Sequence, residues 1–153
     1  MLTKKAKYGI SAVLALAREY EHGPMLIADL AEQEKIPKKF LELILLELKN
    51  VGLLQSKKGK GGGYALGRPP SEVTMGQIIR ILDGPLAPIP CVSKTAYRKC
   101  DECRDERTCG IRLVMKDVRD AIAEVLDHAS LTDVLDRVQA AEENQAKTSM
   151  YYI

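Results

Sequence analysis

Residues 27–66 have the sequence IADLAEQEKIPKKFLELILLELKNVGLLQSKKGKGGGYAL, in which two short helical patterns precede a glycine-rich hairpin pattern. Apolar residues three and four positions apart predict one helix over residues 27–34 and a second over residues 37–50. Pro37 is tolerated in the first turn because its missing N–H needs no partner there. Two short helices joined by a tight turn are typical of a helix-turn-helix, which places its second helix in the major groove of DNA.

The glycine-rich pattern follows the helix pair directly. Residues 53–58 and 64–66 predict two short strands, and the sequence Gly59-Lys60-Gly61-Gly62-Gly63 predicts the turn between them. Glycines allow the backbone to approach another molecule closely, and the lysines beside them have no core to stabilise. A hairpin in this position is typical of the wing of a winged-helix protein, and its cations suit a phosphate backbone.

Basic residues are concentrated in the first part of the chain. Residues 1–68 hold 12 Lys and Arg against 7 Asp and Glu, whereas residues 69–153 hold 11 against 14. A basic helix-turn-helix with a wing predicts binding to double-stranded DNA. Lysines suit phosphate or groove contacts, and a carboxylate can accept a hydrogen bond from a cytosine amino group. The expected phosphate or minor-groove residues are Lys4, Lys58 and Lys60, and those expected at the major-groove floor are Lys38, Lys39 and Glu42.

The remaining periodic segments also predict helices. Thr3 is expected to cap a first helix that stops at Gly23-Pro24, and Thr74 with Gln77 forms a capping box for a fourth. A long apolar stripe then predicts a helix of about four turns, and Ser130 caps a last one before a flexible tail. A stripe of this length favours burial against a second copy of the chain. The stripe consists of Ile111, Val114, Met115, Val118, Ala121, Ile122, Val125 and Leu126.

Length and composition agree with a small, mainly α-helical protein. The 153 residues allow one compact domain with an appendage, and aromatic residues make up only 5% of them. The apolar runs are too short for a membrane helix, which needs roughly 18 residues. The basic and apolar start resembles a signal peptide, but its spacing favours an amphipathic helix. We therefore expect a cytoplasmic protein that contacts no membrane and whose thiols are reduced or bound to metal.

The four cysteines occur in a loop without helical periodicity, with the spacing C-x8-C-x2-C-x5-C. They are Cys91, Cys100, Cys103 and Cys109. Thiolates on an irregular backbone can converge on one metal centre, such as an iron–sulfur cluster or a zinc ion. Structural zinc sites usually use two C-x2-C pairs or add histidines, and His22 and His128 lie far from this loop. An iron–sulfur cluster is therefore preferred, with zinc and a metal-free thiol–disulfide switch as alternatives.

The sequence also limits the class of function. An enzyme is not expected, because no nucleophile lies beside a base and the hairpin glycines precede no Lys-Ser/Thr pair. A small iron–sulfur electron carrier that docks an acidic partner through its basic wing is an alternative from another class. The combined features favour a DNA-binding transcriptional regulator, expected to be a repressor. Through its cysteine loop it would sense iron or cluster status, oxidants or nitric oxide.

Four motifs follow one another in an order found in a known family. They are Leu2-Thr3-x-Lys5-x-x-Tyr8, Gly23-Pro24 followed by Ile27-Ala28-Asp29-Leu30, Leu41-Glu42, and Gly59-x-Gly61-Gly62-Gly63-Tyr64-x-Leu66. With the cysteine loop and the long helix, nearly the whole chain resembles the IscR-type (Rrf) family of bacterial winged-helix regulators. The resemblance implies a homodimer on a partly palindromic operator, with each recognition helix in a major groove and each wing in a minor groove. The motif residues added to the predicted DNA-binding set are Lys5, Tyr8, Gly61, Gly62, Gly63 and Tyr64.

The resemblance also implies a cofactor. Cluster-binding relatives use three cysteines and a variable fourth ligand, and the three correspond by position to Cys91, Cys103 and Cys109. Arg112 stands where IscR-like members have a ligating histidine. The fourth ligand is therefore either Cys100 or a residue elsewhere, including the N-terminal helix of a partner subunit. A 2Fe-2S cluster is preferred to a 4Fe-4S cluster.

These observations predict four parts of the chain. Residues 1–84 form the winged helix-turn-helix domain, residues 85–110 the cysteine-rich cluster loop, residues 111–145 the dimerisation helices and residues 146–153 the flexible tail. Gain or loss of a cluster would change the order of the loop. That change would bias the spacing of two DNA-binding heads that must match two half-sites.

Overall fold

The computed structural model describes residues 2–152 of the chain. In this part of the chain, six α-helices and a two-stranded sheet follow one another. The elements are α1 (Lys4–Arg18), α2 (Ile27–Glu34), α3 (Lys38–Asn50), β1 (Leu54–Lys57), β2 (Gly63–Leu66), α4 (Met75–Asp83), α5 (Gly110–Asp127) and α6 (Leu131–Tyr151). Short 3-10 turns occur at Pro70–Glu72 and Pro90–Val92. This order confirms the mainly α winged helix-turn-helix that the sequence predicts.

Helix α1 is the centre of the head, which we define as residues 2–84, and it packs against α2, α3, α4 and β2. Thr3 caps α1 as predicted, because the Ala6 N–H donates to Thr3 Oγ1 at 3.1 Å. The backbone N–H of Thr3 also donates to Asp83 Oδ2 at 3.0 Å, which joins the start of α1 to the end of α4. Helix α1 ends at Arg18 rather than at the predicted Gly23-Pro24. Its buried face ends with Ala17, and residues 19–22 form turns.

The turn between α2 and α3 is short and closed by backbone hydrogen bonds. Lys35 has a φ of 55°, and the Ile36 N–H donates to the Ala31 carbonyl at 2.9 Å. Pro37 precedes α3 as its N-cap, so the helix begins at Lys38, one residue later than predicted. The predicted inner face is confirmed, with Phe40 partly buried and the other four side chains fully buried. These four are Leu41, Ile44, Leu45 and Leu48.

The wing is an antiparallel hairpin in which Leu54 pairs with Leu66 and Lys57 pairs with Gly63. Its base is anchored in the core, because Leu54 and Leu66 are both buried. Tyr64 also exchanges two backbone hydrogen bonds of 2.8 Å with Met25. The wing is therefore confirmed, and it is attached to the chain just before α2.

Helix α4 connects the head with the C-terminal helices. Its capping box is present, since the Gln77 N–H donates to Thr74 Oγ1 at 3.3 Å and the Thr74 N–H donates to Gln77 Oε1 at 3.2 Å. Ser130, the cap of α6, forms a backbone bridge with Thr74. The Leu131 N–H donates to the Val73 carbonyl at 2.9 Å, and Leu131 is fully buried. The start of α6 is therefore held against the head.

Helix α6 continues beyond the point where the sequence predicts a flexible tail over residues 146–153. It extends to Tyr151, and Ile153 lies outside the described residues. The side chains of residues 139–152 are exposed, so packing does not hold this part in a helix. Residues 140–147 are mostly strong helix formers (Ala, Glu, Gln and Lys). Intrinsic propensity therefore extends the helix without an apolar face, and the flexibility of this end stays a prediction.

Helix α5 presents a long apolar face to solvent. The helix packs against α4 and the Pro90–Val92 turn, and this contact leaves Met115 and Leu126 partly buried. The rest of the predicted stripe is exposed, by 68% at Ile111 and by 62% at Val125. We call these exposed residues the α5 stripe: Ile111, Val114, Val118, Ala121, Ile122 and Val125. None of the helices within residues 2–152 is long and apolar enough to cross a membrane.

Candidate nucleic-acid interface and cysteine pocket

A groove of about 490 Å³ lies between α3, the start of α2 and the wing. Its charged side chains are four lysines and one carboxylate, and this excess of positive charge suits a phosphate backbone. These side chains are Lys38, Glu42, Lys49, Lys57 and Lys58. Gly63 and Tyr64 of the wing also line the groove. The structure thus brings together five of the predicted DNA-binding residues on one surface of the head.

The other predicted DNA-binding residues do not line this groove. Lys5, in the first turn of α1, has its Nζ 2.5 Å from Glu47 Oε2 of α3, which places the start of α1 beside the recognition helix. Their side chains are 36% and 38% exposed, and a surface ion pair of this kind contributes at most about 1 kcal/mol. Lys5 can therefore exchange Glu47 for a phosphate at little cost. Of the predicted residues outside the groove, four are exposed on the head: Lys4, Lys39, Lys60 and Gly61.

Three predicted residues have structural roles that the sequence did not reveal. Tyr8 is partly buried, and its ring meets Phe40 edge-on with 5.6 Å between the ring centroids, which joins α1 to α3. A Cβ on buried Gly62 would collide with the backbone at the end of β1. Gly63 has a φ of 136°, and a Cβ on it would collide with the Met25 carbonyl. The hairpin itself therefore requires both glycines, while the contact of these residues with DNA stays a prediction.

Four further exposed residues of the head do not belong to the predicted DNA-binding set. Lys49 and Lys57 line the groove. Leu43 and Leu46 of α3 are 64% and 46% exposed, respectively. The sequence does indicate that the two leucines are exposed. The buried residues of α3 recur every three or four positions, and Leu43 and Leu46 do not belong to that series.

The four cysteines line a single pocket of about 410 Å³ at the start of α5. Cys91 lies in the Pro90–Val92 turn. Cys100 and Cys103 belong to one turn, in which the Cys103 N–H donates to the Cys100 carbonyl at 3.1 Å. Cys109 is the N-cap residue of α5, and all four thiols are free. The structure thus brings the four cysteines to one pocket, although they span 19 positions of an irregular loop, and their role as metal ligands stays a prediction.

Desolvation and a neighbouring carboxylate both raise the pKa of the Cys103 thiol. Partial desolvation raises the pKa of Cys103 above its ordinary value, and the Glu106 carboxylate raises it further. Lys99 opposes this rise. The Tyr97 hydroxyl donates to Glu106, a hydrogen bond that raises the pKa of Tyr97. A metal that binds Cys103 must therefore displace a proton from it.

The residues of the pocket fit an anionic group ligated by thiolates. The Nε of Arg112 is buried and has no hydrogen-bond partner within the described part of the chain, and Arg112 lines the same pocket as the thiols. An unpaired buried donor costs about 1–3 kcal/mol, so an acceptor in the pocket would relieve this cost. Among residues 2–152, no three His, Cys, Asp or Glu side chains are arranged to hold a metal ion. The thiols share one pocket, and the loop must rearrange before they can ligate one centre.

Two contacts connect the cysteine loop with the head. Arg119 of α5 donates from Nη1 to the carbonyl of Val92, the neighbour of Cys91, at 2.6 Å. In α4, Arg80 donates from Nη1 and Nη2 to the Asp127 carboxylate of α5, at 2.6 and 2.9 Å. These hydrogen bonds hold the pKa of Asp127 below its ordinary value. The loop is therefore connected to α4 through α5.

Comparison with known proteins identifies a family. A family model described as "Rrf2: Iron-dependent Transcriptional regulator" matches residues 2–137. A protein of Rhodobacter capsulatus named as an rrf2-like HTH-type transcriptional regulator is 40% identical over 138 residues, which are 88% of this chain and 92% of the relative. These names agree with the expectation of a regulator rather than an enzyme.

Two solved structures share the fold. CymR, described as the global cysteine regulator of Bacillus subtilis, has a TM-score of 0.74 at 30% identity, over 90% of this chain and 97% of its own. T. potens IscR has a TM-score of 0.74 at 28% identity, over 92% of this chain and 90% of its own. Both the fold and the family resemblance drawn from the sequence motifs are confirmed.

Proposed function

Because this chain belongs to the Rrf2 family of transcriptional regulators, we propose that it senses iron supply or oxidants through an iron–sulfur cluster held in its cysteine loop. It binds operator DNA as a homodimer, with repression as the expected effect. Occupancy of the cysteine pocket changes its affinity for the operator. The observation that carries this proposal is that all four cysteines line one pocket at the start of α5, the helix that contacts the head.

The four cysteines are the proposed ligands of the cluster. Cys100 is chosen as the fourth ligand because it lines the pocket with the other three, whereas an arginine at position 112 cannot ligate iron. When bound, the cluster supplies a centre whose stability depends on iron and on oxidants. The four thiolates would hold the cluster after loss of their protons, and the buried Nε of Arg112 would be available to donate a hydrogen bond to it.

The contacts between the loop and the head provide the path for regulation. Arg119 holds the Val92 carbonyl to α5, and the Arg80–Asp127 pair holds α5 to α4. The end of α4 is in turn bound to the start of α1 by the Thr3 N–H, which donates to Asp83. A shift of the loop therefore changes the orientation of the head relative to α5.

The α5 stripe supports the proposed homodimer. Contiguous exposed apolar residues mark interaction surfaces, and a straight helix can pair with its own copy about a two-fold axis. Two heads fixed to such a pair of helices must match half-sites about 34 Å apart or a multiple of that spacing. A small change in their orientation thus changes operator affinity, and a coupling of about 1–3 kcal/mol corresponds to a 5- to 150-fold change.

A metal-free thiol switch, or a structural zinc site, in the same regulator is the second candidate. One observation favours the switch: the described thiols are not arranged around a metal. In that case Cys100, which is exposed, would react first, and a partner thiol of the same pocket would follow. The electron-carrier alternative is not supported by the family.

Anaerobic purification separates these candidates. Iron, acid-labile sulfide and zinc are measured in the purified protein, and operator affinity is then measured by fluorescence anisotropy for the loaded, metal-free and oxidised forms. We expect iron and sulfide in equal amounts, visible absorbance, and an affinity change within the range given above. A colourless protein with stoichiometric zinc, or equal affinity of all three forms for the operator, would contradict the proposal.

A further inference from the structure

The recognition helix α3 carries two apolar side chains that its own fold does not use. Leu43 is 64% exposed and Leu46 is 46% exposed, whereas Leu41 and Leu45 in the same helix are 0% exposed. Together with Lys39 and Asn50, the two leucines occupy positions i, i+4, i+7 and i+11, which form a single helix face. This face is opposite to the buried one, so the leucines lie on the outer ridge of the helix.

The ridge lies between two basic edges. On one side, the ion pair between Lys5 and Glu47 places the start of α1 beside α3, and this start carries the exposed Lys4 and Lys7. On the other side, the groove between α3 and the wing is lined by Lys57 and Lys58. A duplex whose phosphates meet both edges presents the floor of its groove to the ridge between them. Charge complementarity therefore favours DNA over an apolar protein surface as the occupant of this ridge.

The chemistry of a leucine restricts what it can recognise in that groove. It neither donates nor accepts hydrogen bonds, and the apolar group that a base pair presents in the major groove is the C5-methyl of thymine. Contact with this methyl removes apolar surface from water on both molecules. We propose that Leu43 and Leu46 determine operator specificity by contacting thymine methyl groups in each half-site. The inference rests on the proposed function, because it needs the head to bind operator DNA.

Replacement of thymine by deoxyuridine, which removes only the methyl group, tests the proposal. The full-length protein is bound to a duplex recovered by selection from random DNA, and each thymine is replaced in turn. Loss of one contacted methyl should weaken binding about fourfold, the equivalent of about 0.8 kcal/mol for one buried CH₂ group. Leu43→Ala or Leu46→Ala should weaken binding to the parent duplex similarly. Each variant should then be insensitive to deoxyuridine at its own position.

Two variants serve as matched controls. Val51→Ala shortens a side chain that is 57% exposed just after α3, and it should leave the affinity unchanged. Lys58→Ala should reduce the slope of log affinity against log salt by about 1, whereas the leucine variants should keep the parent slope because they contact no phosphate. Circular dichroism checks that all variants fold, which is expected for substitutions at exposed positions.

The outcomes separate this inference from the proposed function. If no deoxyuridine substitution lowers the affinity, the inference is overturned while operator binding stands. The same holds if each substitution lowers the affinity of the parent and of the leucine variants equally. A change in oligomeric state of Leu43→Ala with parent-like DNA affinity also overturns it, because the ridge would then bind protein. A parent protein that does not prefer the selected duplex to random DNA overturns both proposals.

Discussion

The head and the α5 helix of this chain are stabilised in opposite ways. In the head, apolar side chains such as Leu41 and Ile78 are 0% exposed. In α5, which is described over its whole length, no side chain is buried, and Val114 and Val125 are more than half exposed. Burial of apolar surface is the main stabilising term, so the head holds itself together and α5 gains little from its own chain. The α5 stripe is thus left uncovered by the rest of the described chain.

The largest expected effect is in the core of the head. Leu45→Ala should lower the free energy of unfolding by about 2–5 kcal/mol, because Leu45 is fully buried and its removal leaves a cavity. Leu43→Ala, two residues earlier in the same helix and largely exposed, should cost less than about 0.5 kcal/mol. Urea denaturation measures both variants. If both variants lost the same free energy of unfolding, α3 would not bury the face described above.

The next effect concerns the cysteine pocket. Cys91→Ala, Cys103→Ala and Cys109→Ala should each abolish the change in operator affinity on cluster loading, which we expect to be about 5- to 150-fold in the parent. Cys100→Ala should do the same if it is the fourth ligand. Thr95→Ala, an exposed change in the same loop, is the control and should respond like the parent. Parent-like responses in the first three variants would contradict the sensing role of the loop.

The α5 stripe is tested by a charge placed within it. Val118→Glu should weaken the dimer at least tenfold, or about 1.4 kcal/mol, because the carboxylate would be desolvated in the interface without a partner. Sedimentation equilibrium measures the dissociation constant. Lys116→Gln, which alters an exposed residue outside the stripe, should leave it unchanged. If both variants dimerise like the parent, the two copies meet through another surface.

The smallest effect is expected where the two regions join. Asp127→Asn should destabilise the protein by about 1 kcal/mol at neutral pH, since the pair with Arg80 is about one third exposed and solvent weakens it. The depressed pKa of Asp127 means that this stability is present above its unfolded pKa, about 3.9, and is lost as pH falls through the folded pKa. Unfolding measured between pH 7 and pH 3 should therefore show a smaller acid dependence in Asp127→Asn. An unchanged acid dependence would exclude a contribution from this pair.

Much of the head could be predicted because its signals are local. The Thr3 cap, the Thr74 capping box and the buried face of α3 each depend on residues within one or two helical turns. The predictions differ from the structure at helix ends, where competing local terms are small. Helix α1 stops at Arg18 because its apolar face ends, and α6 runs to Tyr151 because its residues favour a helix without packing.

For the candidate sites, the sequence indicates which residues take part but not how they contact one another. The spacing of the cysteines indicates a metal-binding loop, and the lysines with the glycine turn indicate a wing that contacts phosphate. The spacing does not reveal that Arg112 has a buried unpaired Nε in the cysteine pocket, nor that Tyr8 packs on Phe40. These facts depend on how separate elements meet, and no local period encodes that.

The sequence by itself determined the elements of this protein, because caps, turn glycines and apolar periodicity are short-range effects of backbone sterics and hydrogen bonding. Only the tertiary structure decided what those elements present to other molecules. Packing of α3 left Leu43 and Leu46 outside the core, and docking of α5 on α4 turned its stripe outward. Arg119 joins the cysteine loop to α5, and the Arg80–Asp127 pair joins α5 to the head. The physical reason is that burial and long-range hydrogen bonds depend on contacts between residues far apart in the chain.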